Sequence, residues 1–400
     1  MKLKSFFARI AVILLMPIIV CSCFSLTAFA GKMLSKEQPN YAIEPVRDVL
    51  ELKCKSAILM EATTGRVIYE QNADEALPPA SVTKVMTLLL VMEAIEEGKI
   101  KLDDMVTTSQ RAAEMGGSQI YLEVGEQMSV EDMLKSVIIA SANDAACALA
   151  EFVAGSETAF VKAMNDKARE LGMVNTTFEN TNGLDDTAVN HLTSARDIAI
   201  MSSELIKHKK ILEYSSIWMD TVRNGLFGLT NTNRLVRYYN GCTGLKTGST
   251  GKAGFCVSAT AERDGVSLIC VIMGAESSDV RNQAATSLLN WGFANYGVYT
   301  HDARELDPIK VTGGVKDSVG VSYEDFSFVT EKGKIGKIQH KIVLNESIAA
   351  PVNEGDEIGE VVFTLDGKEI GRVPITARET VNKIDFGEVW SRMLGRFLLK

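Results

Sequence analysis

The chain has 400 residues, a formal net charge of −9 at neutral pH and four histidines. An acidic balance of this size argues against nucleic-acid binding and gives no general attraction to anionic polymers. The length exceeds that of a usual single domain, so we expect two folded units.

Residues 1–30 have the features of an export signal. Basic residues precede an apolar run that ends at Val20, and Ala28-Phe29-Ala30 offers small side chains for cleavage. The run is short for a transmembrane anchor, so we expect removal of the segment. Cys21 and Cys23 lie where a lipoprotein signal carries its modified cysteine, but the residues before them match poorly, and lipidation stays open.

A polar linker, residues 31–50, precedes a first domain predicted over residues 51–303. An apolar run from Ser56 to Met60, a Thr63-Thr64-Gly65 turn and Arg66 to Tyr69 predict a β-hairpin. A helical pattern then follows Pro78-Pro79 as far as Gly98. Because this pattern is apolar nearly all round, it predicts a buried central helix.

The rest of the first domain changes from helical to strand periodicity. Residues 102–206 are mostly helical in pattern, with loops at Gly116-Gly117 and over residues 176–186. Three strands are then predicted, from Gly244 to Thr247, Gly254 to Ala261 and Val266 to Met273, the last two joined by an Arg263-Asp264-Gly265 turn. An apolar helix from Val280 to Tyr296 should pack on this sheet.

Residues 304–378 predict a small all-β domain. Alternating segments run from Lys337 to Leu344 and from Val361 to Ile375, and the second contains an Asp366-Gly367 hairpin signal.

Residues 379–400 return to a helical period. One face carries Phe386, Val389, Trp390, Met393, Leu394, Phe397 and Leu398, and the other carries Lys383, Glu388, Ser391, Arg392, Arg396 and Lys400. Such a face is typical of a helix that lies in a membrane surface. The alternative is a helix that packs against the β domain. We expect a peripheral anchor on the outer face of the cytoplasmic membrane.

Cysteines and histidines give no sign of a metal or cofactor site. Outside the leader the chain keeps Cys54, Cys147, Cys242, Cys256 and Cys270, an odd number without the spacing of a disulfide framework. A bridge between Cys242 and Cys256 is one possibility. The histidines, His191, His208, His301 and His340, are scattered, so we expect no bound metal.

Three short motifs occur in one order along the first domain. They are Ser81-Val82-Thr83-Lys84 at the start of the buried helix, Ser141-Ala142-Asn143 after a later helix, and Lys246-Thr247-Gly248 on a strand. Each is weak alone, because such matches are usually an exposed polar pair, a helix cap or a strand end. Their order and context raise their value.

The chemistry needs these residue types. A serine hydroxyl needs a base within hydrogen-bond reach, and i,i+3 spacing places Lys84 beside Ser81. Burial and the second positive charge of Lys246 should disfavour the protonated form of Lys84. Ser141 could relay the proton to a leaving amine, while Asn143 could hold Lys84 and bind the substrate backbone.

The same pattern predicts an oxyanion hole and a carboxylate site. The backbone N–H of Ser81, at a helix start, and that of Ser249, just after the strand motif, are the expected oxyanion donors. Lys246 and Thr247 should meet a substrate carboxylate, and an extended peptide could pair with the strand edge at Gly248.

These residues resemble the low-molecular-weight penicillin-binding proteins that act as serine-type D-alanyl-D-alanine carboxypeptidases. The resemblance covers nearly the whole mature chain and includes residues 62–84 (ATTGRVIYEQNADEALPPASVTK), 140–151 (ASANDAACALAE), 181–184 (TNGL), 194–198 (SARDI) and 244–248 (GLKTG). It implies an α/β fold, a β-lactamase/transpeptidase-like domain with an antiparallel sheet and a helical lobe, followed by a β-rich domain and an amphipathic anchor.

The resemblance also implies roles. Ser81 forms the acyl-enzyme, Lys84 is the general base, Ser141 and Asn143 complete proton transfer, and Lys246, Thr247 and Gly248 bind the substrate. The implied substrate is a peptidoglycan stem peptide ending in D-Ala-D-Ala, and β-lactam antibiotics are the implied inhibitors. Ser249 stands where many relatives carry an aromatic residue or histidine, which leaves substrate preference open.

Two other functions fit the same motifs. A β-lactamase shares the acylation residues but needs a glutamate for fast deacylation, for which Glu179 is the only candidate we identify. A non-catalytic cell-wall scaffold would retain the fold alone, but the intact motifs disfavour it.

Overall fold

The structure is a computed structural model that describes residue 46 and residues 50–185 and 188–398, with side chains to residue 394 at the carboxyl end. The predicted export signal, Cys21 and Cys23, and nearly all of the linker lie outside the described residues.

Seventeen strands are found in the described residues. They are β1 Ser56–Glu61, β2 Val67–Gln71, β3 Met105–Thr107, β4 Gln127–Ser129, β5 Met219–Val222, β6 Phe227–Thr230, β7 Cys242–Thr250, β8 Gly254–Arg263, β9 Val266–Ala275, β10 Tyr296–His301, β11 Arg304–Thr312, β12 Ser318–Tyr323, β13 Phe326–Glu331, β14 Gln339–Leu344, β15 Ser347–Ala349, β16 Glu357–Leu365 and β17 Lys368–Ala377.

The described α-helices are α1 Lys84–Glu96, α2 Gln110–Ala113, α3 Val130–Ile139, α4 Asn143–Ala154, α5 Glu157–Glu170, α6 Ala195–Leu205, α7 Lys209–Ser215, α8 Leu235–Tyr238, α9 Ser278–Asn295 and α10 Phe386–Leu398. Two 3-10 turns cover Ala80–Thr83 and Lys332–Lys337.

A five-stranded antiparallel sheet organises the first part of the chain, in the order β2-β1-β9-β8-β7. Alternate residues of β9 enter two different cores. Ile269, Val271 and Met273 join the core of the helical lobe, and Leu268, Cys270 and Ile272 pack with the helix α9. Because side chains of a strand alternate between its faces, helices on both sides explain why β9 is apolar throughout.

The predicted hairpin, central helix and three strands are confirmed. The turn between β8 and β9 has Asp264 at φ 50° and Gly265 at φ 75°, both in the left-handed region. Aspartate and glycine tolerate this region, which suits the two-residue hairpin turn that matches strand twist.

Two features of the first part were not predicted. The region expected to be mostly helical also contains a small β3–β4 sheet, and a hairpin of β5 and β6 follows it. These strands have only three or four residues, too few to show a period. The start of the central helix also differs, because Ser81 lies in the 3-10 turn and the α-helix begins at Lys84.

The hypothesis of a disulfide bridge between Cys242 and Cys256 is wrong. Both thiols are free. Cys256 pairs with Gly248 of β7, six residues along that strand from Cys242, so the two cysteines are about 20 Å apart.

The second part of the chain is rich in strands, as predicted. Six strands form one sheet in the order β14-β16-β17-β12-β11-β15, and β10 pairs with β13. The predicted Asp366-Gly367 turn joins β16 to β17, with both residues at positive φ. β10 lies within the predicted first domain, which ends at residue 303, but it pairs with β13 of the second part. The exact domain limits stay a prediction.

Candidate active site

Ser81 lies in the 3-10 turn that leads into α1. Ala80, the preceding residue, has φ 49°, a left-handed conformation that is rare for a residue with a Cβ atom. The Thr83 hydroxyl donates to the Ala80 carbonyl over 2.8 Å. Lys84 is one turn beyond Ser81, and its Nζ is 2.8 Å from Ser81 Oγ.

Lys84 is fully buried although it carries an amine. Its Nζ also donates to the Asn182 carbonyl over 2.9 Å. Burial, and secondarily the charge of Lys246, hold the pKa of Lys84 well below its usual value, while Asp144 acts in the opposite direction. The lowered pKa favours the neutral amine, which is the form that a general base requires.

The second motif lies against the start of α4. Ser141 is buried at φ 63°, and Asn143 is the first residue of α4. Asn143 Nδ2 donates to the Gly116 carbonyl over 2.6 Å, and its Oδ1 has no hydrogen-bond partner among the described residues. Lys84 Nζ donates to Ser81 Oγ and to the Asn182 carbonyl. The contact with Lys84 that we predicted for Asn143 is therefore made by Asn182.

The third motif brings strand β7 against the Ser81 turn. A Cβ atom added to Gly248 would lie 2.7 Å from Ser81 N and 2.8 Å from Val82 N. Only glycine permits this approach of two backbones. The motif thus sets the width of the gap between the strand edge and Ser81.

Lys246 is fully buried, and its Nζ donates to the Thr247 carbonyl over 2.8 Å. Burial, and secondarily the charge of Arg281, lower the pKa of Lys246 to about 7. The Thr247 hydroxyl donates to Thr232 Oγ1 over 2.8 Å.

A cleft of about 230 Å³ unites residues of all three motifs. Ser81, Ser141, Thr247, Gly248 and Ser249 line it. Lys84, Asn143 and Lys246 are buried and are not among the residues that line this cleft. The structure therefore brings together motifs that are up to about 165 positions apart in the chain.

Two arginines that the motifs did not reveal also line the cleft, Arg234 and Arg281. Arg281 is buried, which lowers the pKa of its guanidinium to about 10. No local sequence pattern marks it, because its burial follows from packing against β8, where the Cys256 carbonyl accepts from its guanidinium.

His191 was also missed. It is buried, and its Nδ1 accepts from the Glu179 backbone N–H over 3.0 Å, so the proton of the neutral ring is on Nε2. Nε2 is 2.7 Å from the Thr83 hydroxyl, which in turn donates to the Ala80 carbonyl. This relay fixes the residue before Ser81. Burial lowers the pKa of His191 to about 4.

Glu179, the candidate deacylating glutamate of a β-lactamase, has an exposed carboxylate that accepts from the N–H groups of Val189 and Asn190, at 2.7 Å and 3.1 Å. It does not line the cleft. No geometry of the described residues therefore favours the β-lactamase alternative.

Two family models match the chain. Residues 41–277 match a model described as D-alanyl-D-alanine carboxypeptidase, and residues 296–383 match the C-terminal domain of penicillin-binding protein 5. D-alanyl-D-alanine carboxypeptidase DacF of Bacillus subtilis is 41% identical over 379 residues, which are 92% of this chain and 97% of the relative. The chain belongs to the D-alanyl-D-alanine carboxypeptidase family.

Solved structures agree with this family. Penicillin-binding protein 5 of Haemophilus influenzae superposes with a TM-score of 0.74 at 32% identity, over 86% of this chain and all of that one. Penicillin-binding protein D2 of Listeria monocytogenes, in an ampicillin-bound form, superposes with a TM-score of 0.57 at 33% identity, over 62% of this chain and all of that one. The predicted family, fold class and enzyme class, a serine-type D-alanyl-D-alanine carboxypeptidase, are confirmed.

Proposed function

We propose that this enzyme is exported and removes the terminal D-alanine of peptidoglycan pentapeptides through an acyl-enzyme on Ser81. The observation that carries the proposal is the 2.8 Å contact between Ser81 Oγ and the buried amine of Lys84. A buried amine with a lowered pKa is able to take the proton of a hydroxyl.

Acylation begins when neutral Lys84 takes the proton of Ser81 Oγ, which attacks the carbonyl carbon between the two D-alanines. The N–H groups of Ser81 and Ser249 donate to the oxyanion. Its collapse breaks the peptide bond, and the leaving amine takes the proton through Ser141. Water then hydrolyses the ester and frees Ser81.

The cationic end of the cleft suits a substrate with a free carboxylate. Thr247 offers a hydroxyl, and Arg234 and Arg281 offer guanidinium groups on the same cleft. Lys246 is buried next to Thr247 in β7, and its amine adds positive potential when it is protonated.

β-Lactams are proposed inhibitors, because the serine hydroxyl that attacks the peptide is also able to attack a β-lactam and become acylated. The structure of the Listeria relative in an ampicillin-bound form supports this proposal.

Mass spectrometry of a pentapeptide digest tests the activity. Wild type should release the terminal D-alanine, and Ser81→Ala should release none. Ser216→Ala, at an exposed helix end, is the control and should match wild type. Release by Ser81→Ala at the wild-type rate would refute the role of Ser81.

We propose further that α10 anchors the enzyme to the outer face of the cytoplasmic membrane. Phe386, Val389, Trp390, Met393 and Leu394 are all exposed, and Arg392 on another face donates to the Val315 carbonyl of the β-rich part. An apolar surface that the domain leaves uncovered suits a lipid interface. No helix within the described residues is long and apolar enough to cross a bilayer.

Vesicle sedimentation tests the anchor. The full chain should pellet with phospholipid vesicles, and a chain ending at Asp385, which keeps the buried Val381 and lacks only the residues from Phe386 onward, should stay in the supernatant. Equal pelleting of the two chains would refute anchoring by α10.

A further inference from the structure

An exposed aromatic residue stands in a strained backbone conformation close to the cleft. Tyr121 has φ 58°, and its side chain is 70% exposed. A left-handed conformation costs a residue with a Cβ atom about 1–2 kcal/mol. Such strain persists only where the surrounding structure fixes the backbone.

Four hydrogen bonds fix the backbone around Tyr121. The buried carboxylate of Asp144 accepts from the N–H groups of Ile120 and Leu122, each over 3.1 Å. Arg223 donates to the Ile120 carbonyl over 2.8 Å and to the Tyr121 carbonyl over 3.2 Å. The backbone is therefore fixed on both sides of Tyr121, whose side chain is exposed.

Arg223 itself is held in place. Its guanidinium forms two hydrogen bonds to the Glu126 carboxylate, at 2.6 Å and 3.1 Å. It also lies 5.3 Å from the centroid of the Phe227 ring. The hairpin of β5 and β6 is thereby clamped to the segment that carries Tyr121.

Tyr121 has an aromatic neighbour from this hairpin. The rings of Tyr121 and Phe227 meet edge to face, with centroids 6.4 Å apart. Leu226, which precedes Phe227, is 88% exposed. We call Tyr121, Leu226 and Phe227 the aromatic ledge.

The aromatic ledge is tied to the cleft at two points. Ser118 lines the cleft and precedes Tyr121 by three residues, which limits their separation to about 11 Å. Thr232 lines the cleft and follows Phe227 by five residues. Asp144, which fixes the Tyr121 segment, is the neighbour of Asn143 in α4.

The size of the cleft leaves most of a pentapeptide outside it. A volume of about 230 Å³ is below the range of pockets that enclose a drug-sized ligand. The D-Ala-D-Ala end fills such a space, so the residues that precede it must lie on the surface at the rim.

We propose that the aromatic ledge binds the stem peptide outside the cleft, by contact with an aliphatic side chain that precedes the D-Ala-D-Ala end. This inference rests on the proposed function. It assigns the preference for a longer peptide to the part of the substrate that precedes the D-Ala-D-Ala end. Rigid aromatic side chains lose little conformational entropy on contact, which favours them as binding surfaces.

A comparison of two substrates tests the ledge. Tyr121→Ala should lower kcat/KM for a pentapeptide about tenfold, chiefly through KM. Its kcat/KM for an N-acetylated D-Ala-D-Ala dipeptide, and its acylation by benzylpenicillin, should stay within about twofold of wild type. Alanine keeps the Cβ atom, so the backbone strain is unchanged.

Two further variants define the cause. Tyr121→Phe keeps the ring and should behave as wild type. Arg223→Ala releases the Tyr121 carbonyl and should reproduce the selective loss on the pentapeptide.

Equal losses of kcat/KM on both substrates would mean that Tyr121 only supports the structure of the cleft. An unchanged kcat/KM for the pentapeptide would mean that the aromatic ledge does not bind this substrate. Either result overturns the proposal. A wild-type enzyme that cleaves neither peptide would instead refute the proposed function.

Discussion

The Ser81 and Lys84 pair depends on the protonation state of one buried amine. Lys84 is fully enclosed, and its pKa is lowered by burial first and by Lys246 second. In the proposed mechanism a desolvated lysine takes the place that a histidine has in many hydrolases. The mechanism therefore requires a side chain at this position that can lose its proton, and not merely a positive charge.

Lys84→Arg should abolish most of the acylation. An arginine guanidinium stays protonated in proteins, so it cannot accept the Ser81 proton. The rate of acylation by a fluorescent penicillin should fall by about 100-fold to 10,000-fold, the range for a lost general base. An arginine variant within tenfold of wild type would show that Lys84 acts only through its charge.

His191 should make stability depend on pH. Its pKa of about 4 in the folded chain lies below the usual value of 6.5, so the unfolded chain binds the proton more readily. The stabilising contribution is therefore complete above pH 6.5 and is lost as the pH falls towards 4. At pH 5 the expected loss is about 2 kcal/mol.

Denaturant unfolding at pH 7 and pH 5 measures this loss. His191→Gln can keep a donor to Thr83 and an acceptor for Glu179 N–H, but it does not titrate. The variant should lose about 2 kcal/mol less than wild type between the two pH values. Equal losses would place the titration elsewhere.

At the scale of elements, the site depends on one close contact between a strand and a turn. Strand β7 approaches the Ser81 turn so closely that Gly248 has no room for a Cβ atom. Strand β8 pairs with β7 along its length, and β9 pairs with the other edge of β8. The width of the cleft at Ser81 is thus a property of the sheet.

Gly248→Ala should push β7 away from the turn. The new methyl group overlaps Ser81 N, so we expect a loss of stability of about 1–3 kcal/mol and a fall in acylation of about 100-fold. Gly251→Ala is the matched control, because its Cβ atom would meet open space. Thermal melting and penicillin acylation measure the two effects. Similar results for the two variants would contradict a tight contact.

At the scale of the whole molecule, the cleft and the proposed anchor lie in separate parts of the chain. The residues that line the cleft lie between positions 81 and 281, and α10 begins at Phe386. The strand-rich part has its own core, which includes Val319, Val361 and Phe363. The proposed anchor can therefore be removed without touching the cleft.

A chain that ends at Asp385, and so lacks α10 but keeps the core residue Val381, should keep its activity in solution. On a soluble pentapeptide its kcat/KM should stay within about twofold of the full chain, because α10 lies outside the cleft. A loss beyond tenfold would mean that the helix supports the catalytic part.

The sequence alone determined whatever depends on short spacing. The i,i+3 distance brings Lys84 onto Ser81, and the Asp-Gly pairs produce the turns before β9 and β17, because both effects act within a few residues. The uniformly apolar pattern likewise identified the buried helix α1.

Only the tertiary structure decided which distant groups complete the site. The Asn182 carbonyl holds Lys84, His191 reaches the Ala80 carbonyl through Thr83, and Arg281 lines the cleft. None of these contacts has a periodic or local signal, since each joins elements that meet only after the sheet and the helical lobe have packed together.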